Sequence, residues 1–207
     1  MLSEYSSVVP FPRKGGLLHN AIFIFVDWQV EYLSSGRAYA LENLDASLNN
    51  GLELLQVARE YGMTVVHFRR LMDGAFFNEA TNFSNWIESF RPRPNEMVFE
   101  RTQPSIYSNP DFTSFLDSMC FPELIVSGLT GERSCLSTAV ESAHRNHRLT
   151  FVKDASASCS IGNFNEQKSH EVVSDIINIY AEVSVTQDVV SITKNNNNIT
   201  RGMKNEI

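Results

Sequence analysis

The sequence predicts an α/β protein: a three-layer α/β/α sandwich on a mostly parallel six-stranded sheet. Three observations carry that expectation. Apolar runs of strand length, Ala21–Val26 above all, are continuous rather than alternating, the pattern of strands buried on both faces. Between the runs lie segments with apolar residues at helical spacing, such as Leu44, Leu48, Leu52, Leu55 and Ala58. The two kinds of segment alternate along the chain, which calls for right-handed crossovers and helices on both faces of the sheet.

The first 19 residues hold Pro10, Pro12, Gly15 and Gly16 without periodicity and read as an irregular arm. Residues 20–193 form the domain. Its first strand ends at Asp27, followed by Trp28, Gln29, Val30 and Glu31, and a helix over Asn43–Tyr61 stops at Gly62. Met63–Phe68 is the second strand, with His67 read as a strand-end residue rather than a metal ligand. Residues 71–96 are loop-rich and carry Phe76, Phe77, Phe83, Trp86 and Phe90, either as a substrate-covering loop or as a seal on the core edge. Met97–Glu100 is a third strand leading into Arg101. Pro110 starts an amphipathic helix with Phe112, Phe115, Leu116 and Met119. Leu124–Ser127 is the fourth strand, and a helix begins near Ser134 with Leu136, Ala139, Val140 and Ala143 on its inner face. Leu149–Val152 is a fifth strand before Asp154; a helix over 166–179 and a short strand over 182–185 follow. The run Lys194–Asn198, within a polar tail of residues 194–207, reads as disordered.

A length of 207 residues fits one domain with a substantial core, and a net charge of −7 offers no basic face to a nucleic-acid backbone. No apolar run is long enough to span a bilayer, and Cys120, Cys135 and Cys159 make no disulfide framework, so a cytoplasmic protein without nucleic-acid or membrane partners is expected. The histidines His19, His67, His144, His147 and His170 are scattered, and neither a metal site nor a cofactor is expected. Glu31 reads as a solvated acid at a helix start, Asp154 as fixing the loop after the fifth strand, and His170 as capping or packing the last helix.

Ligands of open parallel sheets bind beyond the C-terminal strand ends. Asp27, Arg101 and Ser134 each sit at or just past such an end. In order, these residues resemble the isochorismatase-like hydrolase superfamily, also called the cysteine hydrolases, a Rossmann-like group. Asp27-Trp28-Gln29 matches its D-x-Q, and Arg101 and Ser105 match a Lys followed four residues later by Ser. Gly128–Ala139 aligns with G-x-x-T-x-x-C-V-x-x-T-A, which puts Gly131 at the Thr, Ser134 at the Cys and Thr138-Ala139 at the Thr-Ala. Asp154-Ala155 matches a later D-A, and His170 falls where a His is often found.

The resemblance implies a hydrolase acting on a small molecule at an amide C–N or a vinyl-ether bond. Asp27 would be the acid/base, with Ser134 and Arg101 in place of the usual Cys and Lys. Gln29, Thr130 and Cys135 are the candidate oxyanion or substrate-binding residues, with N–H groups near Thr130 and Ser134 forming the cradle. A serine hydroxyl needs a nearby base to act as nucleophile, and a guanidinium cannot shuttle protons. In the isochorismatase branch Gly-Cys stands where Ser134-Cys135 stands here, and the Asp protonates a vinyl ether. Cys135 as nucleophile is a further reading, although it points about 100° away from Ser134 around a helix. The alternative from another class is a catalytically inactive member that binds a small molecule or serves as a scaffold. Members commonly form homo-oligomers.

Overall fold

The computed structural model describes residues 21–119 and 122–204. Its sheet contains β1 (Ala21–Val26), β2 (Thr64–Arg70), β3 (Met97–Arg101), β4 (Glu123–Gly128), β5 (Arg148–Val152) and β6 (Glu182–Ser184). The strand order is β3-β2-β1-β4-β5-β6, and every neighbouring pair is parallel. The helices are α1 (Asp45–Glu60), α2 (Pro110–Ser118), α3 (Leu136–His144), α4 (Glu166–Ile177) and α5 (Thr186–Lys204). The predicted α/β architecture with six strands is the observed one, and the sheet is parallel throughout.

The β1 sequence shows why both faces must be covered. Alternate residues of a strand point to opposite faces. Phe23 and Phe25 pack with Leu54, Leu55 and Ala58 of α1 and Val189 of α5. Ile22, Ile24 and Val26 pack with Phe112 and Leu116 of α2, Ala139 of α3 and Val173 of α4. All six β1 side chains are buried, so the continuous apolar run is required by the layers on either side. Polar residues set the helix starts: the Asn109 side chain accepts from Phe112 N–H at 3.0 Å ahead of Pro110, and Asn165 accepts from Lys168 N–H at 2.9 Å.

Several expectations change. The arm, residues 1–19, lies outside the described residues. The run Lys194–Asn198, expected to be disordered, continues α5 instead. Among the described side chains, Thr186, Val189, Val190 and Thr193 are the buried residues of this helix, a short signal, half of it apolar, amid polar residues. Asp154 fixes its start, with Oδ1 accepting from Thr186 N–H at 2.7 Å and Thr186 Oγ1 at 2.9 Å. Glu31 is buried rather than solvated, because Arg37 reaches both its carboxylate oxygens (2.5 and 3.1 Å) and Phe77 N–H donates to it at 3.3 Å. The aromatic loop divides: Phe77 and Phe90 are fully buried, whereas Phe76, Phe83 and Trp86 are half-buried. Phe90 stacks on Trp28 with ring centroids 4.1 Å apart, so part of the loop does seal the core edge.

His67 belongs to a buried polar knot between α1 and the β2–β3 edge. Its Nε2 lies 2.9 Å from Glu96 Oε2, and Arg59 donates to both Glu96 oxygens at 2.6 and 2.9 Å. Burial drives the His67 pKa from 6.5 down to about 4, against the pull of Glu96. Burial works to raise Glu96, but hydrogen bonds from Arg59, Arg93 N–H and His67 prevail and hold it at about 2. Both groups resist protons in the folded state more than in the unfolded one, so stability falls with pH. Stability should be full above pH 6.5, decline toward pH 4 through His67, and decline further from 4.5 toward 2 through Glu96. Urea midpoints measured across this range check it, and His67→Gln should flatten the upper part of the decline.

Candidate functional site

The site begins where β1 ends. Asp27 follows Val26 with φ of 55°, and its N–H donates to Phe68 O of β2 at 2.8 Å. Asp is among the residues that tolerate this left-handed backbone, which turns its carboxylate out of the ladder. Arg101 is the last residue of β3, two strands away, and Ser134 lies in a single π turn, Gly131–Cys135, between β4 and α3. The three side chains converge. Arg101 Nη2 donates to Asp27 Oδ2 at 2.5 Å and to Ser134 Oγ at 2.8 Å. Ser134 Oγ in turn donates to Asp27 Oδ2 at 3.2 Å. Arg101 Nη1 also donates to Gln103 O.

All three residues are buried, at 0% exposure for Asp27, 1% for Ser134 and 4% for Arg101. Burial raises the Asp27 pKa, opposed by the charges of Arg101 and Arg70 and by the hydrogen bonds from Ser134 and Arg101. The result is a carboxyl lifted from its usual value yet bonded through Oδ2 only. Asp27 Oδ1 is buried without a hydrogen-bond partner. The arrangement can therefore move a proton at Oδ1 while Oδ2 stays fixed.

Glycines place the turn that carries Ser134. A Cβ on Gly128 would lie 2.2 Å from Val26 O, so β4 approaches β1 here more closely than any side chain allows. A Cβ on Gly131 would lie 2.5 Å from Ser158 Oγ, and Gly131 N–H donates to Ala157 O at 2.8 Å. The intervening Leu129–Thr130 peptide is cis. Thr130 O accepts from the N–H groups of Ser134 at 3.0 Å and Cys135 at 3.2 Å, and Thr130 Oγ1 donates to Glu132 Oε1 at 2.7 Å. The expected cradle is thus engaged within the turn: those two N–H groups point at Thr130 O.

Other candidates are placed elsewhere. Both ends of the Gln29 amide are spent on backbone, donating to Arg70 O (3.0 Å) and Ser84 O (2.8 Å) and accepting from Arg70 N–H at 2.8 Å. Gln29 thereby ties the end of β2 to the aromatic loop and has no amide N–H left for a substrate. Cys135 points away from the trio into the core beside Ala139 and Phe151, with Sγ 3.9 Å from Gly128 O. Burial raises its thiol pKa well above the ordinary value. Ser105 Oγ donates to Glu141 Oε2 at 2.6 Å, and Thr138 Oγ1 accepts from Ile106 N–H at 3.3 Å, which pins the segment after β3 to α3. His170 bridges Ser158 Oγ (Nδ1, 2.9 Å) and Lys153 O (Nε2, 2.8 Å), bracing the loop after β5.

A cavity of about 430 Å³ lies next to that brace, lined by Glu42, Ser47, Ser158, Glu166 and His170, but the trio does not line it. No group of metal-ligating side chains occurs among the described residues, and no helix among them is long and apolar enough to cross a membrane. Two residues at the site were missed from sequence. Arg70 stands at the end of β2, which extends two residues past the expected Phe68, and its charge acts on Asp27. Tyr32 is 1% exposed, and its hydroxyl pKa is raised well above the ordinary value by burial and by the Asp27 charge. The alternation of β2 could have reached Arg70; nothing in the pattern near Tyr32 singles it out.

Solved structures share this architecture. One from Pseudomonas putida, described as an isochorismatase, is 26% identical with a TM-score of 0.76, covering 86% of this chain and 93% of its own. A cysteine hydrolase from Pseudomonas syringae pv. phaseolicola superposes with a TM-score of 0.79 at 17% identity, over 92% of this chain and 100% of its own. An isochorismatase family protein from Desulfovibrio vulgaris gives a TM-score of 0.71 at 17% identity, over 84% and 97% of the two chains. No curated protein sequence matches the chain. The family model for the isochorismatase domain matches residues 21–188, which span every strand and all three residues of the buried trio, and the chain belongs to that family of hydrolases.

Proposed function

We propose that this chain hydrolyses a small molecule at an amide C–N or vinyl-ether bond, with Asp27 as acid/base, Arg101 as a fixed positive charge and Ser134 as an orienting hydroxyl. One observation carries the reading: a buried carboxylate holds one oxygen against Arg101 and Ser134 and leaves the other without a partner. An unpartnered carboxyl oxygen in a dry site is costly unless a reacting group or water meets it. A pKa raised by burial brings the carboxyl closer to the range in which it can both accept and return a proton.

The roles follow from the atoms. Oδ1 takes a proton from the attacking water, or delivers one to the reacting atom of the substrate. Arg101 holds Oδ2 and stabilises negative charge, and a guanidinium is no proton shuttle. The Ser134 hydroxyl already gives its hydrogen to Oδ2 and accepts from Arg101, which fixes the carboxylate's rotation. Attack by Ser134 itself would need Asp27 to act as its base through Oδ2, the oxygen already bound to Arg101. A water activated at Oδ1 meets no such competition.

Two tests check this. On a panel of isochorismate, nicotinamide and simple carbamoyl and ureido compounds, wild type should form product from at least one. Asp27→Asn should lower kcat at least about a thousandfold, and Ser134→Ala should lower it far less, in the range of about ten- to a hundredfold for a lost positioning contact. Equal losses in the two variants would make Ser134 the nucleophile, and binding without turnover would favour a retired, ligand-holding site. Cys135→Ser should keep its activity, and thiol-directed alkylation should leave wild-type turnover unchanged, because that side chain is buried on the far side of the turn.

A further inference from the structure

We infer that Arg70 forms a carboxylate-binding subsite beside Asp27, Arg101 and Ser134, so that the small molecule taken there is a monoanionic acid. The inference rests on the reading of Asp27 as the reacting group. Arg70 and Arg101 are direct partners in the parallel β2–β3 ladder, so their side chains leave the same face of the sheet at its C-terminal edge. One guanidinium of the two is matched: Arg101 holds Asp27. The other is not. Among the described residues nothing hydrogen-bonds the Arg70 side chain or forms an ion pair with it, and its Nε is buried without a partner.

The Nε atoms of Arg69 and Arg101 are also buried without a partner, but their guanidinium groups are paired through their other nitrogens. Arg69, on the opposite face of the same strand, pairs with Glu100 and approaches Glu79 at 3.7 Å. Arg59 is matched by Glu96 and Arg37 by Glu31. Arg70 is 9% exposed, and its Cζ lies 5.2 Å from the centre of the Phe77 ring. Phe77 itself is fully buried and takes a left-handed backbone with φ of 51°. A bulky residue is seldom held there, and such outliers cluster at ligand clamps. The ring covers part of the guanidinium and leaves its donors unspent.

Charge arithmetic selects the ligand. With Asp27 ionised, two guanidinium groups face one carboxylate, which leaves a single positive charge in a dry site. One carboxylate on the substrate balances it, whereas a phosphate dianion would overshoot. The planar fork of a guanidinium also matches a carboxylate in bidentate fashion. Arg70 is slightly more exposed than Asp27, at 9% against 0%.

The test compares succinamate with succinamide, which share a skeleton and differ in one carboxylate, by calorimetric titration of the purified protein. Wild type should bind succinamate in preference to succinamide. Arg70→Met should weaken succinamate on the order of 100-fold and leave succinamide unchanged. Arg70→Lys, which keeps the charge and loses the fork, should retain part of the preference, and an unfolding curve for each variant separates lost binding from lost fold. No preference for succinamate in wild type, or equal weakening of both compounds in Arg70→Met, would overturn the assignment. Inorganic phosphate binding as tightly as succinamate would overturn it in favour of a phosphate subsite. Calorimetry reads binding alone, so absent turnover with the preference intact would count against the hydrolase reading and leave the subsite standing.

Discussion

The structure is built to hold one charge in a place where charge is expensive. Asp27 ends a strand buried on both faces, and an ionised carboxylate there demands compensation of several kcal/mol. The fold supplies it from two directions. β3 brings Arg101 across the width of β2, and the turn after β4 brings the Ser134 hydroxyl from the other side of β1. The close approach at Gly128, the seat of Gly131 against Ser158 and the His170 brace all serve the position of that turn. A buried ion pair is weak evidence for stability, because apolar groups of similar volume often do as well. Its retention at a strand edge is better understood through the open oxygen, Oδ1, that the pair leaves behind.

Much of this was legible in the sequence, for reasons that can be named. The unbroken Ala21–Val26 run could only be a doubly covered strand, and alternation with amphipathic helices fixed a parallel sheet. Asp27, Arg101 and Ser134 stood at or just past strand ends, so topology alone brought them to one edge of the sheet. What escaped was set by partners distant in the chain. Glu31 looks like a surface acid until Arg37 and the Phe77 N–H close over it. Gln29, one turn beyond Asp27, looked like a ligand-binding amide, yet backbone groups of Arg70 and Ser84 consume it. The last helix was missed because Val189 and Val190 are the only apolar members of its buried set among the described residues, and because the cap that starts it, Asp154, lies over thirty residues upstream.

The same geometry separates two roles that an alignment merges. Ser134 and Cys135 are adjacent in sequence, and either could stand for a family nucleophile on paper. The π turn sends one toward a carboxylate and the other into a core of aliphatic and aromatic side chains. Burial then keeps the Cys135 sulfur protonated, as expected for a packing residue and not for a nucleophile.

The hydroxyl at position 134 has a consequence outside catalysis. A hydrolase that relies on a low-pKa thiolate carries its own weak point, since peroxide converts that thiolate to sulfenic acid and then irreversibly to higher acids. Ser134 offers no sulfur to oxidise, and the neighbouring Cys135 is 1% exposed and held as the thiol. A site built on Ser134 would therefore tolerate oxidising conditions that silence one built on a cysteine thiolate.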